Sequence, residues 1–181
     1  MPVKVTYLVH GATLDNENHM ASGWSDPGLS ELGKKQAKEQ GELLADKKFD
    51  VVICSDLKRA VETVEISFGN KFKVIKDKRL RECNYGDLNG GPDSAFKNDM
   101  LKYVKIRFPN GENYEDVKER IEDLLKFIKP NYDGKHIALL AHQKPQLALE
   151  VILNGKSWQD AIDTDWRKTG SWQPGWEYRL E

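Results

Sequence analysis

One junction, met three times, constrains the fold of this chain most. An apolar, β-branched run stops at a histidine or a serine, and a polar loop or a helical pattern follows. It occurs at Val5-Thr6-Tyr7-Leu8-Val9-His10-Gly11, at Val51-Val52-Ile53-Cys54-Ser55 and at Ile137-Ala138-Leu139-Leu140-Ala141-His142. Short apolar runs of this kind suit strands covered on both faces, as in a parallel sheet. In such sheets chemistry collects where strands end and loops begin.

The intervening stretches supply the helices. Ser30 is a suitable N-cap for a helix over 31–46, with Leu32, Ala37, Leu43 and Leu44 on its apolar face. Ser55 and Asp56 are placed to cap a second helix over 57–68. A further strand is predicted over 72–75, towards a sheet edge, and a helix over 94–106 that ends at Pro109-Asn110-Gly111. Asn113 caps a helix over 114–128, stopped by Pro130, and a last long helix is expected over 146–153. A short helix over 158–162 and a closing strand over 176–180 complete the chain. Strands and helices alternate, which predicts a three-layer α/β/α sandwich with a mostly parallel central sheet. No linker or repeat divides the 181 residues, so a single domain over 1–181 is expected.

Composition narrows the function. The formal net charge is −1, so no broad basic field points to nucleic acid or to an anionic membrane. No apolar run approaches membrane-spanning length and the N-terminus has no signal-peptide pattern, which predicts a cytoplasmic protein. Cys54 and Cys83 lack metal-ligand spacing and do not suggest a disulfide framework.

The strand ends carry His10, Ser55 with nearby Arg59, and His142, the last two leading into helices. Helix N-termini favour anions. Two histidines, one arginine and two helix starts therefore outline a phosphate pocket, and Glu82 lies in a loop able to close over it. Phosphoryl transfer uses such groups naturally: an imidazole attacks phosphorus, cations hold the non-bridging oxygens, and a carboxylic acid protonates the leaving oxygen.

Read together, these motifs resemble the histidine phosphatase superfamily, with its phosphoglycerate-mutase-like fold. His10-Gly11-Ala12-Thr13 with Asn16 resembles its Arg-His-Gly-x-Thr-x-x-Asn signature. Ser22-Gly23 resembles its substrate loop, and residues 55–63 (SDLKRAVET) match its second motif. Leu80-Arg81-Glu82 with Tyr85-Gly86 resembles its acid loop, and Ala141-His142 its final histidine motif. The resemblance implies His10 as the phosphorylated nucleophile, Arg59 and His142 as phosphate ligands and Glu82 as proton donor. It further implies Gly11, Thr13, Asn16, Ser22, Gly23, Arg81, Gln143 and Lys144 around a small phosphorylated substrate, with no metal or organic cofactor.

Two departures from the resemblance stand out. Val9 occupies the position where the family carries an arginine, and Gln143 the position where it usually has glycine. Lys144 and Arg81 are the candidate cations to compensate for the missing guanidinium. The expected function is hydrolysis of a small phosphomonoester through a phosphohistidine, with weakened activity. A non-catalytic phosphoryl-binding module and a phosphoglycerate-type mutase are the alternatives. Compactness favours a phosphatase, because a mutase must keep water from its intermediate.

Overall fold

The structure is a computed structural model that describes residues 1–181. Strand β1 spans Val3–Val9, β3 Val51–Cys54, β4 Val74–Lys76, β6 His136–Ala141 and β7 Trp176–Leu180; β2 (Met20–Ala21) and β5 (Gly91–Pro92) form a separate small ribbon. The five-stranded sheet has the order β4-β3-β6-β1-β7. Its first four strands run parallel, and β7 closes the edge antiparallel to β1. The expected α/β architecture and mostly parallel sheet are observed.

The apolar alternation along the strands explains the layers. Val5, Tyr7, Ile53, Ile137 and Leu139 face one core. Against them pack helix α5 (Tyr114–Asn131), through Val117, Ile121, Leu124 and Ile128, and α6 (Gln143–Asn154), through Leu147. Leu8, Val52, Cys54, Ala138 and Leu140 face the opposite core, with Ala60, Val64 and Phe68 of α3 (Lys58–Phe68) and Leu44 at the end of α2 (Glu31–Leu43). Both faces of the central strands are thus covered, and the runs are apolar apart from Lys4, Thr6 and His136 towards their N-terminal ends. No helix is long and apolar enough to cross a membrane.

Several local expectations are corrected. Helix α3 begins at Lys58, with Leu57 as its cap residue and no side-chain cap from Ser55 or Asp56. Asp26, from the loop before α2, accepts the Lys58 N–H instead at 2.6 Å. Pro130 does not stop α5; it lies inside the last turn, which runs on to Asn131. Helix α6 begins at Gln143 rather than 146, because Pro145 falls in its first turn, where a missing N–H is tolerated. The predicted helix over 94–106 is broken into single turns, ending in α4 (Lys102–Lys105). Two one-turn helices unannounced by periodicity appear: α1 (Leu14–Glu17) and α8 (Trp166–Thr169), the latter following α7 (Trp158–Asp163).

Register sets the site. Val9 pairs with Ala141, so the residues that follow each, His10 and His142, leave the sheet side by side. Cys54 pairs with Leu140, which brings Ser55 and the start of α3 to the same edge.

Candidate active site

The His10 and His142 rings lie 5.0 Å apart, centroid to centroid, tilted by 57°. His10 Nδ1 is 2.6 Å from the Gly11 carbonyl oxygen. A carbonyl only accepts, so Nδ1 carries the proton and Nε2 keeps the lone pair. Burial, aided by the positive charge of Arg59, holds the His10 pKa down to about 3. The ring is therefore neutral and nucleophilic near pH 7.

His142 is fully buried behind His10, and neither ring nitrogen has a hydrogen-bond partner within the chain. Burial first, and then the charge on Arg59, holds its pKa well below the ordinary imidazole value. A buried polar group without a partner is costly. Its backbone is fixed instead. The Tyr7 hydroxyl donates to the His142 carbonyl at 2.7 Å and accepts from the His142 N–H at 3.0 Å.

Arg59 projects from the first turn of α3 and is 2% exposed. Its Nη2 donates to the Gly23 carbonyl at 2.8 Å and its Nη1 to the Ser25 carbonyl at 3.1 Å. The guanidinium thus grips the 22–25 loop while facing the cavity. Gly23 has φ +52°, and a Cβ there would fall 2.0 Å from Asn89 Oδ1. That oxygen also accepts from the Trp24 and Tyr85 N–H groups, so it is not free to move. Glycine is therefore required at 23.

Glu82 acts as a cap for α6 from far along the chain. Oε1 accepts from the N–H groups of Cys83 (2.8 Å) and Lys144 (3.0 Å), and Oε2 from Gln143 N–H (3.1 Å). These include donors that a helix start leaves unpaired. Oε1 is filled by two donors, whereas Oε2 keeps a lone-pair direction. The Glu82 carbonyl is pinned in turn by Trp24 Nε1 (2.8 Å) and Arg120 Nη2 (3.0 Å).

These groups border a cavity of about 440 Å³. Of the residues expected at the site, His10, Asn16, Ser22, Gly23, Arg59, Glu82, Gln143 and Lys144 line it. Asn16 Oδ1 accepts from the Thr13 N–H and hydroxyl, and Ser22 Oγ donates to Asp15. Lys144 is buried, its Nζ 2.7 Å from Gln143 Oε1 and 5.6 and 5.4 Å from the Tyr85 and Tyr114 ring centroids. Burial lowers its pKa, partly opposed by the carboxylate of Glu82.

Four expected residues do not line the cavity: His142, fully buried beside His10, and Arg81, Thr13 and Gly11. Arg81 is committed to a two-bond pair with Asp56, at 2.7 Å twice, and lies 4.9 Å over the Trp24 ring. It does not line the cavity and is not the compensating cation. Thr13 is fully buried as the N-cap of α1, sharing a capping box with Asn16. Gly11 serves packing: a Cβ there would fall 2.3 Å from the Gly33 carbonyl oxygen of α2. Its N–H donates to Thr63 Oγ1, so Gly11 orients His10 without lining the cavity.

The far wall was not legible. His19, Gln36, Asp93, Phe96, Lys97, Met100, Trp166, Arg167 and Lys168 line it. His19 is exposed and holds φ 56° where it lines the cavity. The Trp-rich C-terminal stretch contributes directly. Trp166 stacks on Trp176 at 5.7 Å, and α8 presents Arg167 to the same space.

A family model for the histidine phosphatase superfamily (branch 1) matches residues 6–173. A phosphoglycerate mutase of Schizosaccharomyces pombe is 35% identical over 162 residues, which cover 81% of this chain and 77% of that protein. An uncharacterised phosphatase of Bacillus subtilis is 30% identical, with 83% and 77% covered. Among solved structures, a mycobacterial glucosyl-3-phosphoglycerate phosphatase superposes with a TM-score of 0.77 at 26% identity, covering 88% of this chain and 86% of its own. The matched span includes all three strand-end junctions, and this chain belongs to the histidine phosphatase superfamily.

Proposed function

We propose that the protein hydrolyses a small phosphomonoester through a phosphohistidine at His10. One observation carries the reading. A neutral imidazole with its lone pair on Nε2 stands 5.0 Å from a second, fully buried imidazole whose nitrogens have no partner in the chain. In this reading the unpartnered His142 donates an N–H to a phosphoryl oxygen, and Arg59 and Lys144 supply positive charge around it.

The chemistry is a two-step displacement. The His10 Nε2 lone pair forms the N–P bond while the ester P–O bond breaks. The electron pair leaves on the ester oxygen, which takes a proton from Glu82. Water then attacks phosphorus, the N–P pair returns to Nε2, and Glu82 recovers a proton from that water. Oε2 of Glu82, with its remaining lone-pair direction, is the oxygen assigned to this transfer. Val9 lines the cavity without a charge, so the expected phosphatase is a slow one.

Release of inorganic phosphate from a panel of phosphomonoesters tests the reading, with His10→Gln as the control. Turnover by the natural protein and none by the variant supports it. Equal release by both, or none by either, removes it. The relatives include mutases as well as phosphatases, so a second arm is needed. Supplying 2,3-bisphosphoglycerate with 3-phosphoglycerate separates the two: a mutase interconverts the monophosphates faster than it releases phosphate.

A further inference from the structure

We propose that Arg167 is a second guanidinium ligand for the transferring phosphoryl group, held at the cavity wall by a Gln143–Asp165 pair. The proposal rests on the phosphatase reading of the same site. Arg167 lies far in sequence from His10, Arg59 and Glu82, in a helix of a single turn.

Three observations carry it. First, Arg59 spends two of its N–H groups on the Gly23 and Ser25 carbonyls, and β1 ends in an uncharged cavity-lining residue, Val9. Arg59 keeps three of its five N–H groups for a ligand, and no second guanidinium is supplied by the end of β1. Second, Arg167 lines the cavity and is held on one side only. Its Nη1 donates to Asp165 Oδ1 at 3.0 Å and to Gln146 Oε1 at 3.4 Å, and its guanidinium carbon lies 4.4 Å from the Trp166 ring centroid. Nε and Nη2 have no partner within the chain, so they remain as a two-donor edge. That is the fork geometry that grips an oxyanion through two parallel bonds.

Third, the mount is built into the catalytic framework. Asp165 is 5% exposed and uses Oδ1 for the Arg167 side chain and its N–H. Its other oxygen, Oδ2, accepts from Gln143 Nε2. Gln143 opens α6 beside His142, and its own N–H donates to Glu82. One run of contacts therefore links the proton donor, the helix start and Arg167. The residue that departs from the family's usual glycine is the one that docks α8. After burial and the charge of Arg59, the positive charge of Arg167 makes a smaller contribution to lowering the pKa of both His10 and His142.

The test uses the full chain and two readouts: orthovanadate affinity by calorimetry and kcat/KM on p-nitrophenyl phosphate. Removing one oxyanion donor typically lowers the rate by about 10²–10³, and Arg167→Ala is expected to fall in that range. Orthovanadate binding should weaken at least about tenfold, the loss of one well-formed charged contact. Added guanidinium chloride at millimolar concentration should restore part of the Arg167→Ala activity, which no purely structural role predicts. Gln143→Ala should lower kcat in the same direction and by less. If Arg167→Ala fails to fold, Arg167→Lys decides, since a point charge cannot reproduce the fork: a loss of orthovanadate affinity supports the proposal. Affinity and kcat/KM within about twofold of the natural protein, in whichever variant folds, overturn the proposal and leave the phosphatase reading intact. If the natural protein binds orthovanadate but turns over no ester, weaker binding by Arg167→Ala supports the ligand role and removes the phosphatase reading. A natural protein that neither binds orthovanadate nor turns over ester overturns both.

Discussion

The Tyr7 hydroxyl is bonded twice to the backbone of His142, donating to its carbonyl at 2.7 Å and accepting from its N–H at 3.0 Å. One side chain of β1 thereby fixes the strand end of β6. The two imidazoles owe their spacing to this tie as well as to the Val9–Ala141 register. Tyr7 is fully buried, and desolvation raises its pKa, so the phenol stays protonated and able to donate.

Tyr7→Phe should therefore orphan the buried His142 N–H and leave its carbonyl only the long 3.4 Å bond from the Gln146 N–H. Each orphaned group costs about 1–3 kcal/mol. At this chain length a loss of 1 kcal/mol lowers the melting temperature by about 2–4 °C. Calorimetric unfolding is expected to record a fall of that size or larger, together with reduced kcat. An unchanged melting temperature would show that the tie is energetically idle.

The buried histidines make acid stability predictable. Both folded-state pKa values are depressed, His10 to about 3 and His142 well below the ordinary value. The unfolded chain binds their protons near pH 6.5, so below that pH it holds more protons than the folded chain. Their contribution is fully present above pH 6.5 and is lost as pH falls from there towards 3. The slope is about 1.4 kcal/mol per pH unit for each group. Urea unfolding between pH 7 and 4 should show this decline, shallower in His142→Asn. In the free protein the His10 ring resonances should not titrate near pH 6.5, and a midpoint there would contradict the assignment.

Gly23→Ala tests the loop that Arg59 holds. The left-handed backbone at 23 costs a non-glycine residue about 1–2 kcal/mol, and the clash with Asn89 adds to it. The variant should lose stability and show a raised KM together. Asn89→Ala alone removes the clash partner but also two N–H acceptor contacts. The double variant should then be less damaged than the sum of the singles. Strict additivity would mean that the two residues do not interact.

Glu82→Gln separates proton donation from capping. The amide still accepts N–H bonds at one atom but sets an NH₂ against the other donors, so some stability is lost. Turnover of esters with poor leaving groups should fall far more than turnover of p-nitrophenyl phosphate, whose leaving group needs little protonation. Equal losses on both would remove Glu82 from the role.

What the sequence made legible follows from periodicity. The runs ending at Val9, Cys54 and Ala141 are continuous and apolar because helices cover both faces, so strand order aside, the sheet and the convergence of His10, Arg59 and His142 could be read directly. Direction could not. Arg81 and Glu82 are neighbours in the chain, yet one side chain caps α6 and the other pairs with Asp56. Gly11 and Thr13 belong to the motif but serve packing and capping. Arg167 was invisible because a one-turn helix has no periodicity to detect. Its place depends on Asp165 meeting Gln143, a contact across 22 residues that only the folded chain creates.

Phosphoryl transfer through His10 requires a covalent intermediate. Rapid acid quench with ³²P-labelled phosphomonoester, followed by peptide mapping in alkali, reads it directly, since phosphohistidine survives alkali and is lost in acid on standing. The predicted result is label on the peptide carrying His10, formed within one turnover, and no label and no turnover in His10→Ala. Label retained in His10→Ala, or turnover without label at any time point in the natural protein, would contradict it.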